Sequence, residues 1–148
     1  MWKDALLAYL HFFAIFGTFS ALSAQLVMCR PGIRGDALHR LRRIDAVYGG
    51  LAALLLVSGL LRLFLGAKGS AFYLSNPVFH TKVALFVAVG LLSIAPTLRF
   101  ARWSKAALRT PDAAPDAAAV GAVRRMIHIE LTLLAAIPLL AALMARGI

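Results

Sequence analysis

The chain has 148 residues, of which 61% are hydrophobic and only 15% are charged, and its mean hydropathy is +0.83. Soluble domains usually carry about 25% charged residues, so the composition excludes an ordinary soluble domain and indicates a single integral membrane domain over residues 1–148. The net charge of +10 does not indicate nucleic-acid binding, because most basic residues lie in two short segments between apolar runs.

Four apolar runs, at about 4–28, 44–65, 78–100 and 122–145, divide the chain. Each is long enough to cross the hydrocarbon core of a bilayer as a helix. The sequence therefore predicts an all-α fold, an integral membrane four-helix bundle, with the lipid bilayer as its surroundings.

The segments between the runs carry turn and cap signals. "RPGIRG" ends the first run, and Asn76 and Pro77 predict the capped first turn of the third helix. "RTPDAAPDAAAV" predicts an exposed loop before the fourth run. Cys29 is the only cysteine, so no internal disulfide can form, and its place near a helix end predicts a small apolar packing residue.

The basic residues predict the orientation of the chain. Most of them form two groups, which are Arg30, Arg34, Arg40, Arg42 and Arg43, and Arg99, Arg102, Lys105, Arg109, Arg124 and Arg125. The opposite side carries only Lys3, Lys68 and Arg146 outside the runs. By the positive-inside rule, both termini are expected on the periplasmic side of a bacterial inner membrane.

Polar residues of the first run share one helix face. Asp4, His11, Thr18 and Gln25 recur every seven residues. Ionisable groups at membrane depth are costly and usually face a bundle interior, so we expect this stripe to face the other helices.

The second run has a comparable face, made of Asp45, Tyr48, Ala52, Gly59 and Arg62. Its small residues would let another helix or a flat ligand come close. Asp45 lies at the inner end of this face and Arg62 lies toward the outer end.

In the third run, His80 and Lys82 lie about 200° apart around a helix, so they cannot point the same way. Lys82 continues into the more polar face and is expected to point inward, which leaves His80 at the outer interface unless the first turn is irregular. In the fourth run, His128 and Glu130 lie toward the inner end on different faces. Asp45 and Glu130 are both expected to form ion pairs with arginines of the inner segments.

Two polar layers follow from these faces. The inner layer contains Gln25, Asp45, Tyr48, His128 and Glu130. The outer layer contains His11, Arg62 and Lys82, and this combination suits a haem: His11 as an axial ligand, with the two cations paired to the propionates. The same residues could instead bind an anionic substrate or relay protons, and His80 could act as a second ligand or proton carrier.

The chain resembles an uncharacterised bacterial membrane family, known as domain of unknown function 2214, over nearly its full length. The stretches that carry the resemblance are "LLAYLHFFAIFG", "DAVYGGLAALLLVSGLLR", "KGSAFYLSNPVFHTKVALF" and "IPLLAALMARG". More distantly, the chain is similar to HemJ-type protoporphyrinogen oxidases and CopD-type copper-resistance proteins. His11 in "YLH" and Lys82 in "FHTK" match the HemJ-type motifs, and the resemblance implies haem b bound by His11 and a functional Lys82.

The leading hypothesis is a small inner-membrane b-type haem protein that transfers electrons or oxidises a porphyrinogen or quinol. His11 would bind the metal, Arg62, Lys82 and His80 would complete the cofactor site, and Lys82 would be the catalytic residue. Quinone or porphyrin would be the substrate, and a homodimer could complete the site. The alternatives are a non-enzymatic transporter or accessory subunit for metal or ion handling, and a scaffold whose polar residues only join helices.

Overall fold

A computed structural model describes residues 2–65, 71 and 74–146, so Lys68 lies outside the described residues. Within them the chain forms four long helices, which are α1 (Trp2–Met28), α2 (Asp36–Leu65), α3 (Pro77–Ala107) and α4 (Ala117–Ala145). All four are long and apolar enough to cross a membrane. The predicted all-α four-helix membrane bundle is confirmed.

The helices form a closed ring in which each one packs against its neighbours in sequence, and α4 packs back against α1. Neighbouring helices are antiparallel. Residues 29–35 and 108–116 therefore lie at the same end of the bundle, here called the arginine-rich end. The other end, where α1 begins and α4 finishes, is called the terminal end.

All four helices are longer than the apolar runs, and α2, α3 and α4 exceed them by more than a turn. α2 begins at Asp36 and α3 ends at Ala107, so both include charged turns at the arginine-rich end. A helix of 30 residues is about 45 Å long, whereas a bilayer hydrocarbon core is about 30 Å thick. The apolar run therefore corresponds to the part of each helix that lies in the hydrocarbon core, and the helix extends past the ends of this run.

Much of the bundle surface is apolar and exposed. Only 17–22% of the residues in the most apolar part of each helix are buried by protein, and Phe12, Phe16 and Phe64 are all more than half exposed. Such surfaces are unfavourable in water, so lipid must cover them. The fully buried side chains lie mostly toward the arginine-rich end and include Leu22, Leu41, Phe100, Val123 and Ile127.

The helix boundaries follow the predicted local signals. Asn76 caps α3, because its Oδ1 accepts a hydrogen bond of 2.8 Å from the Val78 amide, and Pro77 occupies the first turn. In "RPGIRG", Gly32 and Gly35 have φ angles of 84° and 53°. This left-handed region favours glycine, which explains why α1 ends there. Most of the "RTPDAAPD" segment is exposed, as predicted.

Arg124 of α4 joins its helix to the end of α1. Its guanidinium donates to the carbonyls of Leu26 at 2.7 Å and Cys29 at 2.6 Å. Carbonyls of the last helical turn have no partner within the helix, so Arg124 supplies a donor that the helix cannot. Cys29 is buried as predicted, and burial raises the pKa of its thiol to about 11, which keeps it unreactive at neutral pH.

We expect Arg124→Met to lower the free energy of unfolding by about 1.5–3 kcal/mol, the usual contribution of hydrogen bonds to a charged group. Methionine keeps an apolar stem and has no donor. Unfolding in mixed detergent micelles would measure the change. The matched control is Arg125→Met, because Arg125 is exposed and forms no hydrogen bond or ion pair among the described residues; an equal loss in both variants would contradict the prediction.

Candidate functional site

His11, Arg62 and Lys82 come together in the terminal half of the bundle and are here called the basic cluster. They come from α1, α2 and α3, and each side chain is partly buried. Arg62 and Lys82 both interact electrostatically with His11, and they also interact with each other. The structure therefore brings together the three residues of the predicted outer layer.

Ser58 of α2 holds the His11 ring. The His11 Nδ1 and the Ser58 Oγ are 3.0 Å apart, and the Ser58 hydroxyl donates to the Leu55 carbonyl at 3.2 Å. When Nδ1 carries the ring hydrogen, it donates to the Ser58 oxygen, and the Leu55 carbonyl also interacts with His11. The Nε2 atom then carries the free lone pair of the neutral imidazole, which is the form that binds a metal or accepts a proton.

Gly59 and Phe12 complete the walls of the basic cluster. A Cβ atom at Gly59 would lie 3.4 Å from the His11 Cε1, so the absence of a side chain there lets α2 approach the imidazole closely. The Arg62 guanidinium lies 5.8 Å from the centre of the Phe12 ring, a distance at which a cation is attracted to an aromatic face. Phe12 thus orients Arg62 without neutralising it.

Among the described residues, no acidic side chain forms an ion pair with Arg62 or Lys82. Among the described residues the only ion pair joins Arg42 to Asp45, in the arginine-rich half. Nor do three His, Cys, Asp or Glu side chains converge anywhere in the part of the chain that the structure describes. The basic cluster is therefore a partly buried pair of cations beside one imidazole, and this arrangement suits an anionic ligand.

His80 is placed apart from these three groups. Its side chain is exposed, its Nε2–H donates to the Leu74 carbonyl at 2.9 Å, and its ring meets Phe79 edge-on. The predicted interfacial placement of His80 agrees with this exposure. Because the Nε2 atom is committed as a donor, it cannot bind a metal in this conformation.

Asp45 is the centre of a second polar group, in the arginine-rich half. Its carboxylate accepts from Arg42 at 3.0 Å, from Thr97 at 2.9 Å and from Gln25 at 3.4 Å. The expected pairing of Asp45 with an arginine is confirmed. Thr97 was not among the predicted polar residues; its spacing of four residues from Ser93 along α3 is the signal that could have identified it.

Glu130 does not pair with an arginine, so that prediction is wrong. Its Oε2 accepts from the Tyr48 hydroxyl at 3.2 Å, and its Oε1 has no partner. Glu130 lies more than three turns into α4, whereas Arg124 is engaged at the end of α1 and Arg125 is exposed. Tyr48 is the donor that reaches this depth.

His128 does not belong to the inner layer, and that prediction is also wrong. Its side chain is exposed, and its Nδ1 bonds to the Arg124 carbonyl at 2.9 Å, one turn earlier on the same helix. Glu130 lies on the buried face of α4, and a two-residue offset turns a side chain by about 200°. His128 therefore faces away from the bundle.

Comparison with protein families identifies the chain as a whole. Residues 3–148 match a family described as predicted membrane protein, DUF2214. The chain belongs to this family. Comparisons of the DUF2214 chain with curated proteins and with solved structures found no match. The predicted family membership is confirmed, and the more distant likeness to HemJ-type and CopD-type proteins stays a prediction.

We expect Thr97→Val to lower the free energy of unfolding by about 1.5–3 kcal/mol, because it removes a donor from a buried carboxylate at nearly constant volume. Thr132→Val is the matched control. Thr132 is exposed and bonds only to the His128 carbonyl of its own helix, at 2.9 Å, so its loss should change stability by at most about 0.5 kcal/mol. Equal stability of the two variants in detergent unfolding would show that Thr97 does not support Asp45.

Proposed function

We propose that this protein is a small b-type haem protein of a bacterial inner membrane, which transfers electrons or oxidises a quinol or porphyrinogen. One observation carries the proposal. A partly buried imidazole has its Nδ1 3.0 Å from the Ser58 hydroxyl oxygen, beside two cations that form no ion pair with an acid among the described residues.

The donor set fits a haem better than a bare metal ion. A haem brings four ring nitrogens to its iron, so the protein needs to add only one or two axial ligands. The described residues offer His11 alone in this cluster, and no set of three protein ligands is present among them. Ser58 supports this role, because a hydrogen bond to the second ring nitrogen fixes the tautomer and orientation of a ligating histidine.

Arg62 and Lys82 fit the charge of the same ligand. A haem b carries two propionates, which pair well with Arg and Lys. Lys82 is also the proposed catalytic residue, since its ammonium could donate hydrogen bonds to the carboxylates of a porphyrinogen or to a quinone oxygen. A bound haem would supply one-electron chemistry, while these side chains would hold and orient the anionic groups.

A hollow opens at the terminal end of the bundle, and the described residues that line it do not include His11, Arg62 or Lys82. Its volume is about 420 Å³, and it lies between α1 and α2, lined by Lys3, Leu6, Leu7 and Leu65. Leu7 lies one helical turn from His11. The volume is within the range of cofactor pockets, and its apolar lining suits a porphyrin.

A second candidate function is anion or ion handling without a redox cofactor. Its support is the unneutralised charge of Arg62 and Lys82 in the membrane interior, because intramembrane cations commonly mark a substrate path. In that case His11 would accept a proton or a hydrogen bond through the same free Nε2.

The haem proposal predicts a Soret band in the purified protein, with reduced-minus-oxidised changes in the visible spectrum. His11→Ala should abolish the band, because it removes the axial ligand. The matched control is His128→Ala, which removes an exposed histidine from the other half of the bundle and should leave the spectrum unchanged.

Two results would contradict the haem assignment. One is the absence of a Soret band after haem supplementation, and the other is a band that survives His11→Ala unaltered. A colourless protein that binds an anion, and loses that binding in Arg62→Gln with Lys82→Gln, would support the second candidate instead.

The proposed location predicts that both termini are periplasmic. Alkaline phosphatase should be active when fused after residue 148 and inactive when inserted after Ala113, in the exposed loop at the arginine-rich end. The reverse pattern of activity would overturn the orientation.

A further inference from the structure

We propose that the Glu130 carboxyl is a reversible proton-binding site in the arginine-rich half of the bundle, occupied at neutral pH. It is separate from the basic cluster, and the inference does not rest on the proposed haem function.

Glu130 is almost completely enclosed by protein. Its relative exposure is 1%, and it shares the buried face of α4 with Ile127 and Leu134, which are 0% and 4% exposed. Its Oε2 accepts the hydrogen bond from Tyr48, across the diagonal of the ring, and its Oε1 has no partner among the described residues. The site therefore combines a buried carboxyl with one satisfied and one unsatisfied oxygen.

No counter-charge is available to keep this carboxyl ionised. The groups on α2 that interact with it are Tyr48, a neutral donor, and Asp45, which has the same sign as an ionised Glu130. Arg42 is already paired with Asp45. An uncompensated carboxylate in a low-dielectric interior costs several kcal/mol, and the group normally takes up a proton instead.

Among the described residues, α1, α3 and the rest of α4 also bring no cation to Glu130. Toward this part of the bundle, α1 contributes Gln25, which bonds to Asp45, and α3 contributes Ser93, which lies near Tyr48 and donates to the Gly90 carbonyl at 2.7 Å. Neither side chain is ionisable. On α4 itself, Arg124 is engaged with the end of α1 and His128 is exposed. A proton needs no additional space, so it is the cation that can neutralise the Glu130 carboxylate in this site.

The geometry also accounts for reversibility. With Oε2 accepting from Tyr48, the proton belongs on Oε1. Its release to water or another base leaves a carboxylate and moves no other atom. The Tyr48 hydrogen bond persists in the anion and becomes charge-assisted, which lowers the cost of the ionised state. Asp45 and the 39% exposed Arg42 continue the polar groups from this site toward the arginine-rich end.

Glu130 is the only glutamate in the chain, so it can be observed without mutation. Protein made by cell-free synthesis with glutamate labelled with ¹³C at its side-chain carboxyl, and placed in phosphatidylcholine vesicles, would be studied by infrared spectroscopy. We expect a carboxylic-acid C=O band at neutral pH that shifts with the label. At alkaline pH the band should be replaced by labelled carboxylate bands and should return on reacidification.

Variants would assign the band and its hydrogen bond. Glu130→Gln should remove the label-sensitive band, and Tyr48→Phe should shift it to higher frequency because the C=O group loses its donor. Asp45→Asn is the control for the other buried acid and should leave a label-sensitive band in place. A labelled signal present only as carboxylate at neutral pH would overturn the proposal, as would an acid band that ignores the label; the unmutated protein suffices for both outcomes.

Discussion

A carboxylate buried between helices must be surrounded by donors, and Asp45 meets this requirement with three of them. The donors come from α1, from its own helix and from α3. Rotating or sliding any of these helices would leave a charge without its partners, at a cost of several kcal/mol. Apolar packing inside a membrane is less specific, because lipid chains compete with apolar side chains. Asp45 therefore sets how the helices are registered, and this register brings His11 to Ser58 in the opposite half.

The polar groups divide the bundle into two parts with different electrostatic character. The terminal half holds Arg62 and Lys82 beside His11, with no ion pair to an acid among the described residues. The arginine-rich half buries Asp45, which is paired with Arg42, and Glu130, which accepts from Tyr48. The two halves therefore differ in the sign of the charge that their polar side chains carry.

Much of this arrangement could be predicted because it depends on helical periodicity alone. Of the predicted stripe, His11, Thr18 and Gln25 face the other helices, whereas Asp4, in the first turn of α1, is exposed, so the prediction is wrong for that residue. The opposite facing of Lys82 and His80 follows from their spacing. The cap at Asn76 is also a local feature. Partner choice between helices was less predictable. Glu130 bonds to Tyr48 rather than to an arginine. Which side chain of α2 lies opposite Glu130 depends on how far α2 and α4 are shifted along each other. The periodicity of a single helix does not contain this information.

The contact of Arg124 with the end of α1 has a consequence for biogenesis. Of the four helices, the one that carries Arg124 is synthesised last, whereas the carbonyls that it binds lie at the end of the one synthesised first. The hairpin of α1 and α2 can pair in the bilayer while translation continues, but the ring stays open along one side until the fourth span inserts. Until then, water at the membrane surface would solvate the carbonyls of Leu26 and Cys29. A chain that ends before α4 would lack the contact between α4 and α1, and this exposed surface would make it a substrate for quality-control proteases.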